Sequence, residues 1–307
     1  MAFFLRTHRK TSRVEIYKLV GDSLVREAVI PVYGRVVALL AFRPAKSLTD
    51  HLLIAISAHA YFTVSWDPVA RKVRDEVVAR DVADNFSRDA KCGPLFVADP
   101  GKRLLGLHMY QGTFLAIPLV QPPGKGGKKR GNPPDLGNIE PPCAVRFSEL
   151  DVLDMALLDG TNMPTLAVLH KPLKGDQTAV VTYEIQKSGD DREFKKWEVE
   201  LKNMEQEAQF LIPVPSPLGG FILVGVKMVV YCSGRKGALK RPLFEPRVWT
   251  AWGMIDGQRF VLGDEEGNLC LLLLMADTNG LVTNVRIDKI GEVRCPFKKS
   301  LSLLLAD

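Results

Sequence analysis

The chain has 307 residues, of which 46% are hydrophobic and 25% are charged, and its formal net charge at pH 7 is +6. This balance is typical of a globular protein with a sizeable core and excludes a mainly disordered chain. The longest apolar run, at residues 269–276, is far shorter than the about 20 residues that a membrane-spanning helix requires, so we predict no membrane segment.

Two short stretches carry most of the excess positive charge. Residues 1–13 contain no acidic residue and are predicted to be a disordered basic start. Residues 121–142 are rich in proline and glycine and are predicted to be a disordered insertion between strands. The cations of this insertion are Lys125, Lys128, Lys129 and Arg130. Because the remainder of the chain is close to neutral, an extended nucleic-acid-binding face on the folded part is not favoured.

Between these stretches the sequence is typical of successive β-strands. Residues 13–19 alternate apolar with charged positions, and residues 32–44 form an apolar run that stops at Arg43-Pro44. Residues 71–90 could form one amphipathic helix, but their density of valine favours a solvated edge strand. The Asp-Pro-Gly sequence at residues 99–101 predicts a turn.

A pair of apolar strands joined by a short turn recurs along the chain. The clearest copy spans residues 259–276, with its polar turn at residues 264–268. The other copies begin near residues 52, 104, 165 and 221. A strand pair that recurs at intervals of roughly 40–60 residues is typical of a β-propeller. Both strands of residues 259–276 lack polar alternation, so we predict that both of their faces are covered.

We therefore predict an all-β fold, namely a β-propeller of about six to seven blades in a single domain from residue 14 to residue 307. The blades are of non-WD type, because the sequence contains no Gly-His…Trp-Asp signature. The chain ends within an apolar run at residues 301–306. We therefore expect the propeller to be incomplete at its C-terminus, with an unclosed ring, an unpaired edge and a tendency to aggregate.

Two motifs resemble ligand-binding loops but lack the residues that the chemistry requires. Residues 124–131 resemble a phosphate loop, yet Lys129 occupies the position where Ser or Thr would hold magnesium. We interpret this stretch as a flexible basic insertion, with a nuclear-import signal or a nonspecific phosphate contact as the alternative. Residues 264–268 begin like a calcium loop but lack the repeated oxygen ligands, so a solvated hairpin turn is predicted.

The histidines and cysteines form no recognisable catalytic or metal-binding set. The histidines lack metal-ligand spacing, and His108 and His170 are expected at the surface of hairpin turns. The five cysteines are widely spaced without a CxxC motif, which is typical of reduced thiols in the cytosol or nucleus. No nucleophile motif or acid/base pair is present, so we predict no enzyme activity and no catalytic, cofactor-binding or metal-binding residues.

Several aromatic residues flank the predicted strands. They are interpreted as blade-packing residues, because stacking on nucleic-acid bases would require a basic groove beside them. These residues are Tyr33, Tyr61, Phe62 and Trp66.

Five blocks of the sequence, in order, resemble a known family. The blocks are RVEIYKL, VYGRVVALLAFRP, VADPGKRLLGLHMYQGTFLAIPL, VPSPLGGFILVG and RFVLGDEEGNLCLLLL. They resemble the first propeller of the family that contains the large subunits of damage-specific DNA-binding protein and of cleavage and polyadenylation specificity factor, and the propeller subunit of splicing factor 3b. Arg43-Pro44, and Tyr110 with Gly112, are most similar to the DNA-damage member.

This resemblance implies a non-enzymatic scaffold of three propellers. In the damage-binding member the scaffold links substrate receptors to a cullin-4 ubiquitin ligase in the nucleus, for nucleotide-excision DNA repair. The middle propeller holds the cullin, and the first and third propellers form the receptor cleft. The resemblance covers only residues 13–293, so the cullin-binding propeller is expected to be absent from this chain, and no binding residue is carried over.

The sequence leaves two alternative functions open. A scaffold of the same family for pre-mRNA cleavage, polyadenylation or splicing would also act in the nucleus. Direct nucleic-acid binding by the propeller would show a steep salt dependence that survives deletion of residues 124–131.

Overall fold

The computed structural model describes residues 3–7, 12–21, 23–44, 49–57, 59–67, 70, 72–82, 84, 86–119, 139–188, 191–234, 237–293 and 302–305. Within these residues the regular structure consists of 24 β-strands in six four-stranded sheets. Each sheet is antiparallel and, except for the first, is formed by four consecutive strands. This arrangement confirms the predicted all-β propeller, and we call the sheets blades 1 to 6 in chain order.

Each blade consists of four strands that are hydrogen-bonded to one another in sequence across the sheet. Blade 1 contains β24 (Ser302–Leu305), β1 (Phe3–Thr7), β2 (Arg13–Val20) and β3 (Ser23–Pro31). Blade 2 contains β4 (Val36–Phe42), β5 (His51–Ile56), β6 (Ala60–Asp67) and β7 (Lys72–Asp81). Blade 3 contains β8 (Leu95–Ala98), β9 (Leu104–His108), β10 (Thr113–Pro118) and β11 (Cys143–Arg146). Blade 4 contains β12 (Asp151–Leu158), β13 (Thr165–Lys171), β14 (Thr178–Ser188) and β15 (Asp191–Met204). Blade 5 contains β16 (Ala208–Pro213), β17 (Phe221–Gly225), β18 (Met228–Cys232) and β19 (Ala238–Pro242). Blade 6 contains β20 (Trp249–Met254), β21 (Arg259–Asp264), β22 (Asn268–Ala276) and β23 (Val282–Glu292).

The recurring hairpin of the sequence is the central part of each blade. The copies that begin near residues 52, 104, 165, 221 and 260 are the second and third strands of blades 2 to 6. These central strands are the most apolar because each is flanked by a strand on both sides and, in blades 2 to 5, by a blade on each face. The valine-rich stretch after residue 71 forms strand β7, which confirms the predicted strand rather than a helix.

Blade 1 combines the two ends of the chain, contrary to two expectations from the sequence. Strand β1 pairs with β2 along its whole length, with Phe3 opposite Lys18, so residues 3–7 of the predicted disordered start form a strand. Strand β24 pairs with β1, with Phe3 opposite Leu305, so the predicted unpaired edge is occupied at this position. Strand pairing satisfies backbone N–H and C=O groups regardless of the charge of the side chains. The composition of a basic segment therefore does not reveal that the segment pairs as a strand.

The core of the described residues consists of five apolar clusters, each lying between two consecutive blades. Neighbouring residues of one strand contribute to different clusters. On β9, for example, Leu105 packs towards blade 2, whereas Leu104 packs towards blade 4. This two-sided burial explains why strands such as β5 and β17, which are buried at every position, show no polar alternation.

Strand β22 departs from this pattern. Cys270, Leu272 and Leu274 are buried against blade 5, but the alternate residues are only partly buried, and Met275 is 44% exposed. The prediction that both faces of this strand are covered is therefore wrong for the part of the protein that the structure describes. Both faces of β22 are apolar in sequence, but only one face packs against a neighbouring blade.

An arginine at the predicted turn of residues 99–101 links two blades. Arg103 donates from Nε and Nη2 to the Asp99 carboxylate, at 2.6 and 2.8 Å, and the Asp99 side chain is fully buried. Its Nη1 atom donates to the carbonyl oxygens of Thr161 and Asn162 in the next blade, both at 2.9 Å. One guanidinium therefore neutralises a buried carboxylate and ties blade 3 to blade 4.

We expect replacement of Arg103 by lysine to lower the free energy of unfolding by about 2 kcal/mol, because an ammonium group cannot reproduce the planar set of four contacts around buried Asp99. Urea denaturation followed by tryptophan fluorescence measures this change. Arg259→Lys is the control, since Arg259 forms a similar pair with exposed Asp256 but reaches no other blade. Equal denaturation midpoints for Arg103→Lys and the unmodified protein would contradict the assignment.

The C-terminal end of the predicted insertion belongs to the folded blade. Ile139 is fully buried, pairs with Leu119 as an isolated bridge and packs in the cluster between blades 2 and 3. Glu140 donates its backbone N–H to the carbonyl oxygen of Pro118 at 2.8 Å. Residues 139–142 are therefore ordered, whereas the predicted disorder of residues 121–138 lies outside the described residues.

Candidate protein-interaction surface

The order of the strands divides the connections into two rims. In an antiparallel blade, the connection between the second and third strands lies at the same end as the connection to the next blade. We call this end the upper rim, and the end that carries the other connections the lower rim. Backbone hydrogen bonds join upper-rim segments to one another, as in Gln111 N–H to Arg88 O at 2.9 Å and Leu243 N–H to Lys227 O at 2.8 Å.

The four most exposed large hydrophobic side chains of the described residues all lie on the upper rim. Tyr33, Phe86, Leu173 and Phe244 are 96%, 99%, 85% and 102% exposed, respectively. The next most exposed residues of this type, Ile255 and Ile290, reach only 54%. Single exposed apolar residues are ordinary, so it is the common rim of these four that makes this end of the propeller a candidate interaction surface.

Phe86 is presented by a turn that is anchored to the neighbouring blade. Asp84 accepts a hydrogen bond from the Phe86 backbone N–H at 3.0 Å and another from the Ser87 hydroxyl group. These hydrogen bonds, that of Ser87 first, lower the pKa of Asp84 from its ordinary value. The backbone N–H of Asp84 in turn donates to the hydroxyl oxygen of buried Tyr110 at 2.9 Å. The phenyl ring of Phe86 therefore projects from a fixed backbone.

Phe244 lies in a segment that is held on both sides. Leu243 and Arg247 donate their backbone N–H groups to the carbonyl oxygens of Lys227 and Val226, both at 2.8 Å. The Arg247 guanidinium also donates from Nη1 to the Asp264 carboxylate at 3.1 Å. An exposed aromatic ring on a rigid segment loses little conformational entropy on binding, which is typical of an interface anchor.

None of these four exposed side chains is predicted from the sequence to be an interface anchor. Tyr33, expected to be a packing residue, is instead almost fully exposed, because it follows the last strand of blade 1 at a backbone turn. Tyr61 and Phe62 do pack as predicted, since Tyr61 is fully buried and Phe62 packs between blades 1 and 2. A signal for the anchors is nevertheless present, because Phe86 and Leu173 are isolated apolar residues within polar turns, and Phe244 follows Leu243 in a turn that is bounded by prolines.

The predicted basic site residues lie outside the described residues. These residues are Lys125, Lys128, Lys129 and Arg130, in the connection between β10 and β11. That connection leaves and re-enters the blade at the lower rim, opposite the four anchors. Nuclear-import or phosphate contact by these residues stays a prediction.

Two titratable side chains, those of His108 and Tyr183, are buried within the blades. His108 is 1% exposed, which corrects its predicted surface position, and burial lowers its pKa. Tyr183 donates to the Glu149 carboxylate at 2.7 Å, and burial together with this bond raises the pKa of Tyr183 above its ordinary value.

Among the residues that the structure covers, no group of three or more His, Cys, Asp or Glu side chains could hold a metal ion. The described chain likewise contains no helix long and apolar enough to cross a membrane.

The fold defines the class of protein as a β-propeller, with four strongly exposed hydrophobic residues on its upper rim. The family model described as RSE1/DDB1/CPSF1 first beta-propeller matches residues 8–301, and the chain belongs to this family. It is similar to DNA damage-binding protein 1a of Arabidopsis thaliana, with 33% identity over 285 residues that make up 92% of this chain and 24% of the relative. DNA damage-binding protein 1 of Solanum lycopersicum is 34% identical over the same shares of the two chains. The chain thus spans about a quarter of the length of these relatives.

Proposed function

We propose that this chain is a non-enzymatic scaffold that binds protein partners through its upper rim. The observation that carries the proposal is the position of the four most exposed large hydrophobic residues, Tyr33, Phe86, Leu173 and Phe244, on that rim. The family match supports a scaffold resembling the first propeller of DNA damage-binding protein 1. By this resemblance the partners are substrate receptors of a cullin-4 ubiquitin ligase, and the place of action is the nucleus.

Affinity purification of the tagged protein from nuclear extract tests the identity of the partners. The proposal predicts recovery of substrate receptors of the cullin-4 ligase. Recovery of polyadenylation or splicing subunits instead would assign the chain to RNA processing. Binding of purified DNA or RNA with a steep salt dependence that survives deletion of residues 124–131 would support direct nucleic-acid binding.

Replacement of the four rim anchors by serine is expected to reduce partner recovery strongly. Loss of a single buried aromatic anchor costs at least about 2 kcal/mol, which corresponds to about thirtyfold in affinity. The side chains are exposed in the free protein, so the variant should melt at the same temperature. Quantitative mass spectrometry of the purified complexes measures the change.

A lower-rim variant provides the matched control for this experiment. Met163, Ile255 and Leu281 are exposed by 37%, 54% and 37% on lower-rim turns, and their replacement by serine removes exposed apolar surface from the opposite rim. Partner recovery should be unchanged in this variant. A loss in the lower-rim variant with full recovery in the upper-rim variant would reject the proposed surface.

A further inference from the structure

A cleft lies between the outer strands of blades 5 and 6, beside the upper rim. Its volume is about 540 Å³. It is bounded by β19, by the segment that carries Phe244, and by residues 284–289 of β23. Strands β19 and β23 are the last strands of their sheets, so each is paired on one side only. We call this space the blade 5–6 cleft.

The floor of the cleft is apolar and continuous with the core. Trp249, Cys270 and Val285 line it and are each at most 3% exposed. Ile287 is half-buried beside them, and Phe244 stands fully exposed at the entrance. An apolar side chain that enters this cleft would therefore contact the core cluster between blades 5 and 6 and the face of an aromatic ring.

Cationic side chains flank this apolar floor. Arg241 is paired with Val229 and Lys289 with Cys270, and residues paired across strands lie on the same face of a sheet. Because Val229 and Cys270 both belong to the cluster between these blades, Arg241 and Lys289 extend into the space between them. Within the described part of the chain, Arg241 has no ion-pair partner, and Lys289 pairs only with exposed Glu292.

Two carboxylates in the lining help to identify the class of ligand. Glu245 and Asp288 line the cleft with the cations and would repel a continuous phosphate backbone. Arg286 lies opposite Leu273, on the other face of β23 from Lys289, and Arg247 pairs with buried Asp264 at 3.1 Å. The cations that face the cleft and are available for a ligand are therefore Arg241 and Lys289. Discrete cations around an apolar floor match a peptide in which carboxylates flank an apolar residue better than they match a nucleic acid.

We propose that the blade 5–6 cleft binds an acidic amphipathic peptide segment of a protein partner. The apolar side chain of the segment lies on the floor beside Phe244, and its carboxylates pair with Arg241 and Lys289. This inference rests on the proposed scaffold function. It specifies the chemistry of the partner segment that binds beside the upper rim.

Fluorescence anisotropy with a labelled peptide, EDLFEIDE, tests the proposal on the purified chain. We expect saturable binding that weakens at least about tenfold in the double variant Arg241→Glu and Lys289→Glu, because two attractive contacts become repulsive. Lys240→Glu is the matched control. Lys240 is the neighbour of Arg241 on β19, but it is paired with Val230, which packs towards blade 4, so binding should change less than twofold.

Two further peptides separate the contributions of charge and apolar contact. The peptide QNLFQINQ lacks the carboxylates and EDSSESDE lacks the apolar side chains, and both should bind at least about tenfold more weakly. Equal binding of EDLFEIDE to the unmodified chain and to the double variant would overturn the proposal. Displacement of this peptide by an equal concentration of oligouridine RNA would also overturn it and assign the cleft to nucleic acid.

The outcome can be distinguished from failure of the scaffold function itself. If the peptide does not bind but the four-residue rim variant still loses its protein partners, the cleft is rejected and the scaffold function is retained. If the peptide binds as expected but neither rim variant affects partner recovery, the peptide site is retained and the upper-rim anchors are rejected.

Discussion

Replacement of Asp264 by asparagine is expected to destabilise the protein by about 3 kcal/mol, because it removes one member of a buried ion pair. The Asp264 side chain is 3% exposed and accepts hydrogen bonds from Asn268 Nδ2 at 2.7 Å, from Asn268 N–H at 2.8 Å and from Arg247 Nη1 at 3.1 Å. An asparagine directs an NH₂ group at one of these donors and leaves Arg247 without its buried partner. The Phe244 segment, which Arg247 anchors, should loosen at the same time.

The pH dependence of unfolding provides an independent measure of the same interaction. Burial acts to raise the pKa of Asp264, but the hydrogen bonds from Asn268 and the charge of Arg247 outweigh it and hold the pKa below its ordinary value. A carboxylate with a lowered pKa in the folded state stabilises the fold above its unfolded pKa of about 3.9, and this contribution is lost as the pH falls through the folded value. The unmodified protein should therefore lose more stability than Asp264→Asn between neutral and acidic pH.

Asp256→Asn is the matched control for Asp264→Asn. Asp256 also accepts backbone hydrogen bonds in a hairpin turn, from Gln258 and Arg259 at 3.0 and 2.9 Å, but its side chain is exposed to solvent. We expect little change in the denaturation midpoint of this variant, because solvent screens the pair. Equal effects of the two substitutions would show that burial of Asp264 does not determine its contribution.

Replacement of Gly220 by alanine is expected to cost about 3 kcal/mol or more, since steric overlap and backbone strain act together. Gly220 has a φ of +78°, and an added Cβ would lie 2.0 Å from the carbonyl oxygen of Cys232. Gly220 directly precedes Phe221, which pairs with Cys232 at the end of the β17–β18 pair, so neither backbone segment can move away without breaking strand pairing. Urea denaturation and the yield of soluble protein measure the effect.

The adjacent glycine separates overlap from strain. Gly219 has a φ of +65°, but the nearest atom to an added Cβ, the Asp159 carbonyl oxygen, is 3.7 Å away. Gly219→Ala should therefore cost only about 1 kcal/mol, the strain of a left-handed backbone. If the two variants are equally stable, the close approach of Gly220 to Cys232 is not what requires glycine there.

Much of the fold could be predicted because burial on both sides leaves a direct signal in the sequence. Leu104 and Leu105 pack on opposite faces of one strand, so the strand is apolar throughout, and each such strand identifies the centre of a blade. The first blade lacks this signal. Its strand β1 follows no apolar repeat and is formed by pairing with β2 and β24, which are contacts between distant parts of the chain.

The positions of turns are easier to predict from the sequence than their burial. The turn after β21 is at the expected residues, but Asp264 and Asn268 are 2% and 8% exposed rather than solvated. The neighbouring segment around Val248 covers them, since Glu265 donates its backbone N–H to the Val248 carbonyl oxygen at 3.0 Å. The acidic composition of this turn predicts that it is exposed to solvent. Its burial results from contact with another loop, which is evident only in the three-dimensional structure.

The anchors of the upper rim could not be predicted from composition for a related reason. A lone phenylalanine in a loop, such as Phe86 or Phe244, is as compatible with packing under the loop as with exposure. Its exposure depends on the direction in which the anchored turn projects the ring. The common rim becomes evident only when strand order assigns each connection to one end of the propeller.

Hydrogen–deuterium exchange of the protein, with and without a purified substrate receptor, tests the upper-rim assignment most directly. We predict slower exchange at the upper-rim segments around Phe86, Leu173 and Phe244 when the receptor is bound. We predict no change at the lower-rim turns around Met163, Ile255 and Leu281. Protection confined to the lower-rim turns, with the upper-rim segments unchanged, would contradict the assignment.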